Sequence, residues 1–489
     1  MALRGFEADR GSLCRRYECW HTIGDLKRSP VMDVIGPCRL WDSAKPVRDP
    51  AAALVCPAIE PGIPEALDDA LDAYRSGNWD HHVLTAPRVF RLELLQACRP
   101  SRSFQGTLRE VWQVWRRAGV VDQGMPTSSA LSQARARLPI WALEALFRHT
   151  AGIARLWPAH PLCPEHRLRV IDGVPFVLPR TGPNWTTFNT TRSQHGAAYY
   201  PQAMGLWISH IPGYVVQTER LGSARQGDQT GAPELLDRCI EPGDLVLGDA
   251  HFGTYPCCGV IQRRKAFHLM RAAGTFIPQK HRTGRGDSDD TDLVVTPSPS
   301  TRGHDHDWHL PDTLPMRAVT LTIPTRDDLN RTERTVFLTN LPRQTFPRQR
   351  LDTLTPLRWG VETLHNDVKT RLGLGDIRSL HPAGVRREVL AHLCLSNLIR
   401  LFMAQANPTA PWEGSFTAAR SALIQANHQL RWKPDQQKRT FRLLAEMIRS
   451  QPLDVRPGRS EPRRKRPDRR PSPSFKTPRA DWRAARKAG

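Results

Sequence analysis

The stretch 166–179 reads HRLRVIDGVPFVLP. Leu168, Val170 and Ile171 make an apolar, β-prone run into Asp172. Gly173 then reads as a turn, and VPFVLP as a second strand. Asp-Gly after a strand is an ordinary turn signal, so the segment alone leaves a turn role and a chemical role open for Asp172. A second stretch, DLVLGDAHFGTY (244–255), has the same form, with Asp249 standing after an apolar strand and ahead of a loop. A carboxylate at a strand end is held rigidly at a sheet edge. If the two strands are neighbours, Asp172 and Asp249 converge.

A third stretch, RWGVETLHNDVKTRLGL (358–374), reads as a helix. At about 100° per residue, Arg358, Glu362 and Lys369 fall within roughly 40° of one another. Val361, Leu364, Val368 and Leu372 form a separate apolar stripe. A solvated salt-bridge face is the plain reading, because Arg and Glu at i,i+4 attract. The alternative is that Glu362 completes a three-carboxylate cluster. Hard divalent cations such as Mg²⁺ take oxygen ligands, and two of them about 3.5–4 Å apart can hold the attacking and leaving oxygens of a phosphoryl displacement.

The surroundings favour a polyanion as partner. The chain has 489 residues and a formal net charge of +22, the balance of a protein that binds nucleic acid or an anionic surface. No apolar run nears the ~20 residues of a membrane span, and MALRGFEADRGSLC lacks the apolar core of a signal peptide. The expectation is therefore a cytoplasmic, DNA- or RNA-facing protein and no membrane. The ten cysteines are dispersed without a CxxC pair and read as reduced thiols.

Residues 1–62 read as a flexible leader. Helical periodicity fills 63–162, where Ser128 or Ser129 would cap a helix from which Arg135 and Arg137 project as a basic face for phosphates. Strands, a short helix and further strands over 163–271 give a mixed α/β sheet. Residues 272–345 are polar and β-prone, a β-rich insertion. Helices return over 346–405 and 406–455, and 456–489 is a basic, proline-rich tail with too few apolar residues to fold alone.

Taken together, IDGVPFVLP, LVLGDAHFGTY and RWGVETLHNDVK resemble the acidic blocks of bacterial insertion-sequence DDE transposases, in the branch with a Y-x2-R-x3-E-x6-K signature, the family of insertion sequence four. SALSQARARL (129–138) and IRSLHPAGVRREVLAHLCLSNLIR (377–400) resemble family segments in the right order. The resemblance implies an α/β, RNase H-like catalytic core interrupted by the β-rich insertion, with a helical N-terminal domain and a helical C-terminal region. It implies Asp172, Asp249 and Glu362 as catalytic ligands of two Mg²⁺ or Mn²⁺ ions, with Arg358 and Lys369 on phosphates. It implies cut-and-paste transposition through cleavage, hairpin formation and strand transfer. Its partners would be double-stranded transposon ends and target DNA, met by a homodimer on paired ends at the bacterial nucleoid. The signature tyrosine is Thr355 here, whose hydroxyl can still bond a phosphate. Ala250-His251 stands where the family has a basic residue and glycine, and His251 either contacts phosphate or caps its loop. GHDHDWH (303–309) and NWTTFNTTRSQHG (184–196) read as polar loops, the latter equally as a DNA-facing segment, and Trp308 or Trp359 as a stacking platform. Two other classes compete with an active transposase: a catalytically inactive, transposase-derived DNA-binding protein, and a stand-alone RNase H-like nuclease.

Overall fold

The computed structural model describes residues 50–451, apart from 56–59, 79–82, 100–102, 156, 158, 191, 194–195, 227–229, 274–281, 287–288, 299–308, 325–331, 408–413 and 430–433. The leader before residue 50, the basic tail and Trp308 with most of its His/Asp run lie outside the described residues. By contacts, the chain divides into a large unit, 1–321 with 335–454, and a small one, 322–334 with 455–489.

The large unit begins with helices α1 (Glu65–Asn78), α2 (Ala86–Cys98), α3 (Phe104–Arg117), α4 (Ser128–Arg137) and α5 (Ile140–Ala154). In α3 the sequence states its own ends. Ser103 caps the first turn by accepting from Gly106 N, Leu108, Val111, Trp112 and Trp115 are buried at helical spacing, and Arg116 and Arg117 complement the dipole of the last turn. The cap of α4 is Thr127, whose hydroxyl accepts from Ala130 N, not Ser128 or Ser129, which are already inside the helix. Pro139 splits the helical run, because Leu138 before it is driven to ψ 120°.

Nine strands form one sheet: β1 (Arg167–Val177), β2 (Gln202–Ile211), β3 (Val215–Ser223), β4 (Asp244–Gly248), β5 (Phe267–Arg271), β6 (Arg282–Gly286), β7 (Asp290–Val295), β8 (Leu314–Pro324) and β9 (Thr332–Thr339). Their spatial order is β3-β2-β1-β4-β5-β9-β8-β7-β6. β1–β4 and β4–β5 are parallel, whereas β1–β2, β2–β3 and β5–β9 are antiparallel. The β-rich segment after residue 272 therefore continues the same sheet, with Phe337, Leu338 and Thr339 of β9 opposite Arg271, Met270 and Leu269 of β5. Arg317 and Arg343 converge on Asp290 there, at 2.6 and 3.1 Å.

The segment 166–179 is a correction. It is one continuous strand rather than two strands around a turn, because β2 pairs with it at every step from Leu168↔Ile211 to Val177↔Gln202. That ladder overrides the local Asp-Gly signal.

Helices α7 (Ala232–Cys239) and α8 (Tyr255–Arg263) cover one sheet face; α6 (Gly182–Phe188) lies between β1 and β2 in sequence. Ile171, Leu206, Ile208, Val246 and Met270 pack there with Leu235, Leu236, Val260 and Ile261. The face carrying Glu219 takes the long helix α11 (Pro382–Ala406), which follows α9 (Arg348–Leu354) and α10 (Gly360–Asn366). Asn397 of α11 both accepts from Val216 N and donates to Val216 O at 2.9 Å, and Arg386 reaches Glu219 at 3.2 Å. By length and composition α11 would pass for a membrane span, contrary to the sequence expectation, but 89% of its apolar window is buried inside the protein. A helix apolar on all sides is what a core position demands. Helices α12 (Phe416–Gln429) and α13 (Pro434–Arg449) complete the described chain.

Candidate active site

The parallel register of β1 and β4 places the two aspartates. Val170 stands opposite Leu247 as the last pair of that ladder, and two residues further along each strand direction come Asp172 and Asp249. Both lie on the side opposite Ile171 and Val246, away from α7 and α8. Gly248 allows the chain to pass here: a Cβ on it would stand 2.5 Å from Met270 Sδ and 3.2 Å from both Ile171 Cγ2 and Phe252 Cβ. Asp172 Oδ1 accepts from Gly173 N, and Asp249 Oδ1 accepts from His251 N, each at 2.8 Å.

Glu362 arrives on a helix that is not uniform. A 3₁₀ turn, Thr355–Trp359, leads into α10, and a π-helical turn, Asp367–Arg371, follows. Gly360 opens α10 against Tyr214, since a Cβ there would lie 1.9 Å from the tyrosine ring, and Tyr214 Oη donates to Leu357 O at 2.8 Å. Glu362 remains exposed, with Arg358 Nη2 3.8 Å from its Oε1.

The electrostatics bind the three acids into one site. Burial pushes the Asp172 carboxyl up to about 6; the Gly173 N–H pulls against this, the Asp249 carboxylate adds to it, Arg358 opposes it and Glu362 adds to it. Three distant segments thus act on one carboxyl. Among the described residues, no three His, Cys, Asp or Glu side chains are gathered tightly enough to form a ready ligand set for a metal ion. The donor chemistry nevertheless fits: three hard carboxylates share a site whose mutual repulsion a divalent cation would relieve.

Residues 164–398 match the family described as Transposase DDE domain. The match covers all three acidic residues and supports a DDE transposase. A solved structure similar to this chain is the cryo-EM structure of piggyBac transposase synaptic complex with hairpin DNA, at 11% sequence identity over 82% of this chain and 81% of that one, with a TM-score of 0.34. No curated protein matches.

Within the matched residues, the remaining signature residues are engaged in different ways. Lys369 stands in the π turn, and its ammonium is engaged by β1. Its Nζ donates to Pro175 O on β1 at 2.8 Å and lies over the Phe176 ring at 5.7 Å, and burial lowers its pKa. Thr355 is buried and donates its hydroxyl to Asp352 O at 3.2 Å, so it is not presented to a ligand. His251 is exposed, and its backbone N–H closes the loop on Asp249. Trp359 is half-buried.

Arg135, outside the matched residues, is another correction. Its Nε donates to Glu93 Oε1 at 2.6 Å and its guanidinium lies 3.2 Å from the Phe104 ring centroid, so it ties α4 to α2 and α3. Arg137 is exposed.

Two side chains beside the acids escaped the sequence reading. Trp207 is the cross-strand partner of Asp172, and its ring meets His365 edge-on at 5.3 Å. Trp207 Nε1 and His365 Nε2 are buried and find no hydrogen-bond partner among the described residues. Burial first, then Lys369, lowers the His365 pKa to about 4, leaving the ring neutral at pH 7. The only signal in the sequence was the i,i+3 spacing of His365 from Glu362.

Proposed function

We propose that the chain is a DNA transposase that cuts and joins phosphodiester bonds at the ends of a mobile element, with Asp172, Asp249 and Glu362 as its catalytic carboxylates. The observation that carries this reading is the parallel register of β1 and β4, which sets Asp172 and Asp249 at neighbouring strand ends; Glu362, from a distant helix, is near enough to raise the pKa of the half-buried Asp172 as Asp249 does. The sheet order β3-β2-β1-β4-β5, with β4 and β5 parallel to β1, supports an RNase H-like core.

Asp172, Asp249 and Glu362 would hold divalent ions, Mg²⁺ or Mn²⁺. When bound, such a pair supplies charge stabilisation to the attacking and leaving oxygens of an in-line displacement. Asp172 is fixed by strand pairing with Trp207 of β2, and its Oδ1 accepts from Gly173 N, which keeps its carboxyl from turning away as DNA enters. Arg358, close enough to lower the Asp172 pKa, offers its guanidinium to a phosphate lying across the acids. Hairpin formation, strand transfer to target DNA and action as a homodimer on paired ends extend the reading on the strength of the three sequence blocks.

The test is cleavage of the gene's own flanking DNA by the full chain with Mg²⁺ or Mn²⁺. The wild type should cut at the element's ends and join them to target DNA. Asp172→Asn, Asp249→Asn and Glu362→Gln should each abolish cutting while DNA binding persists. Substantial cutting by any of these variants removes that residue from the site. Tight binding with no cutting by the wild type would leave a non-catalytic DNA-binding protein.

A further inference from the structure

Beyond Asp172, β1 runs out to an exposed cluster that none of the catalytic roles uses. Val177 is 52% exposed, and three residues on stands Arg180, also exposed. Its guanidinium carbon lies 5.1 Å from the Trp185 ring centroid and 4.2 Å from that of Tyr199. Tyr199 in turn meets Tyr200 edge-on at 5.0 Å, and Tyr200 is 42% exposed.

Arg180 differs from most well-anchored arginines of this chain. Arg91, Arg135, Arg317, Arg343 and Arg400 each meet a carboxylate. Among the described residues Arg180 meets aromatic rings instead. Ring faces orient a guanidinium without consuming its N–H donors. The result is a cation held in place with its donor edge unspent.

The scaffold under it is tied down. Thr181 Oγ1 donates to Leu380 O at 2.7 Å, and Asn184 Nδ2 donates to Ser379 O at 3.0 Å and Pro179 O at 3.2 Å. The segment 179–185 is thereby fixed to the connection between the Lys369 turn and α11. One rigid strand links the cluster to Asp172.

We infer that Arg180, oriented by Trp185 and Tyr199, is a docking point for a backbone phosphate of the duplex DNA whose scissile bond lies at Asp172, Asp249 and Glu362. This rests on the transposase reading above for the identity of the duplex. From Asp172 to Val177 the strand advances about 17 Å, or about five base pairs of duplex. Arg180 stands three residues beyond Val177, so DNA running along β1 from the acids would reach it within about one helical turn. A phosphate is the ligand that suits this site, because a guanidinium edge offers parallel N–H donors that match two phosphate oxygens. The rings lie beside the cation, where they orient it rather than receive the ligand.

The experiment measures binding of the gene's flanking duplex to the full chain by fluorescence anisotropy over a salt series, without divalent ions and in the Asp172→Asn background, so that no cutting occurs. Arg180→Gln should flatten the slope of log K against log salt by about 0.9, the counterion released by one phosphate contact. Arg180→Lys should keep the slope and lose part of the affinity, because the charge stays and the stacked fork is lost. Trp185→Leu should lower affinity without moving the slope. Thermal melts within about one degree of the parent show that each variant folds; if Arg180→Gln melts early, Arg180→Lys and Trp185→Leu still decide, because wild-type affinity in both overturns the inference and a loss of affinity at unchanged slope supports it. An unchanged slope in Arg180→Gln overturns the inference. So does a Trp185→Leu defect confined to single-stranded DNA, which would make the rings a platform for unpaired bases. Failure of the wild type to cut sinks the transposase reading but leaves the slope measurement standing, so the two can fail separately.

Discussion

Replacing Asp367 tests how the Glu362 helix is held. Asp367 is 1% exposed and opens the π turn five residues after Glu362. Its Oδ2 accepts from Arg400 Nη2 at 2.6 Å and its Oδ1 from Arg371 Nη1 at 2.5 Å. Arg371 is partly exposed, so that arm contributes only about 0–1 kcal/mol. Arg400 is buried in α11, donates also to Gly213 O at 3.1 Å, and has no partner for its Nε. Burial raises the Asp367 pKa and lowers that of Arg400, in each case against the attraction of the partner. Desolvation thus exceeds pairing, and in that regime losing one partner is far worse than losing both. Asp367→Ala should cost about 3–5 kcal/mol, because it leaves a buried guanidinium with one carbonyl for company. Asp367→Leu combined with Arg400→Met should be close to neutral. The assay is urea denaturation, followed by tryptophan fluorescence, of Asp367→Ala and of the four corners of the Asp367→Leu, Arg400→Met cycle. A loss under about 1 kcal/mol for Asp367→Ala would show that water reaches the pair. A double variant as unstable as the sum of the singles would show that the two residues do not act on each other.

Arg358 and Lys369 should differ in cutting, although the helical spacing made them equivalent. Arg358→Ala removes the cation that acts on Asp172 and should slow cleavage about 10–100-fold, whereas Lys369→Ala releases the hold on Pro175 O and should affect the melting temperature more than the rate. Single-turnover rates and melts of both variants check this, and equal rate losses would contradict it. The Asp290 cluster should make the β-rich part of the sheet acid-sensitive. Burial pushes the Asp290 carboxyl up, but hydrogen bonds from Arg317 and Arg343 outweigh it and hold the pKa below the usual 3.8. The stability this supplies is present above the unfolded value and is lost as pH falls through the folded one. Asp290→Asn should therefore cost about 1.5–3 kcal/mol at neutral pH, with the gap to wild type closing below about pH 4; a gap independent of pH would exclude the ionised pair.

The acidic blocks were legible because each is local. An apolar run fixes a strand, and the carboxylate follows at a set distance along it, so Asp172 and Asp249 needed only adjacent strands to meet. What was illegible depends on partners chosen in three dimensions. Gly173 stays extended because β2 pairs along the whole of β1. The β-rich segment joins the main sheet because β9 finds the free edge of β5, and nothing in LVVTP or RTVFLTNLP names that edge. The π turn opens at Asp367, which bonds Arg400 across 33 residues, and the bond from Lys369 to Pro175 O joins segments 194 residues apart, so neither could be read from a uniform 100° step. Thr355 was taken from its position in a signature, but its hydroxyl is used by Asp352 O.

Arginine counting misleads for the same reason. The chain carries 70 Lys and Arg against 48 Asp and Glu, and each internal ion pair removes one of each sign, so the surplus of 22 survives folding while its location changes. Arg135 and Arg137 show how. Two residues apart on α4, they are separated by about 200° of helix, which puts one against Glu93 and Phe104 and the other in solvent. The basic face read from that segment therefore holds one of the two cations. Arginine suits the inward role because its planar fork can bond a carboxylate and stack on a ring together, as Arg135 does. Arg180 has the ring without the carboxylate. In a protein whose surplus is positive, that half-filled pattern distinguishes a cation reserved for a phosphate from one used by the fold.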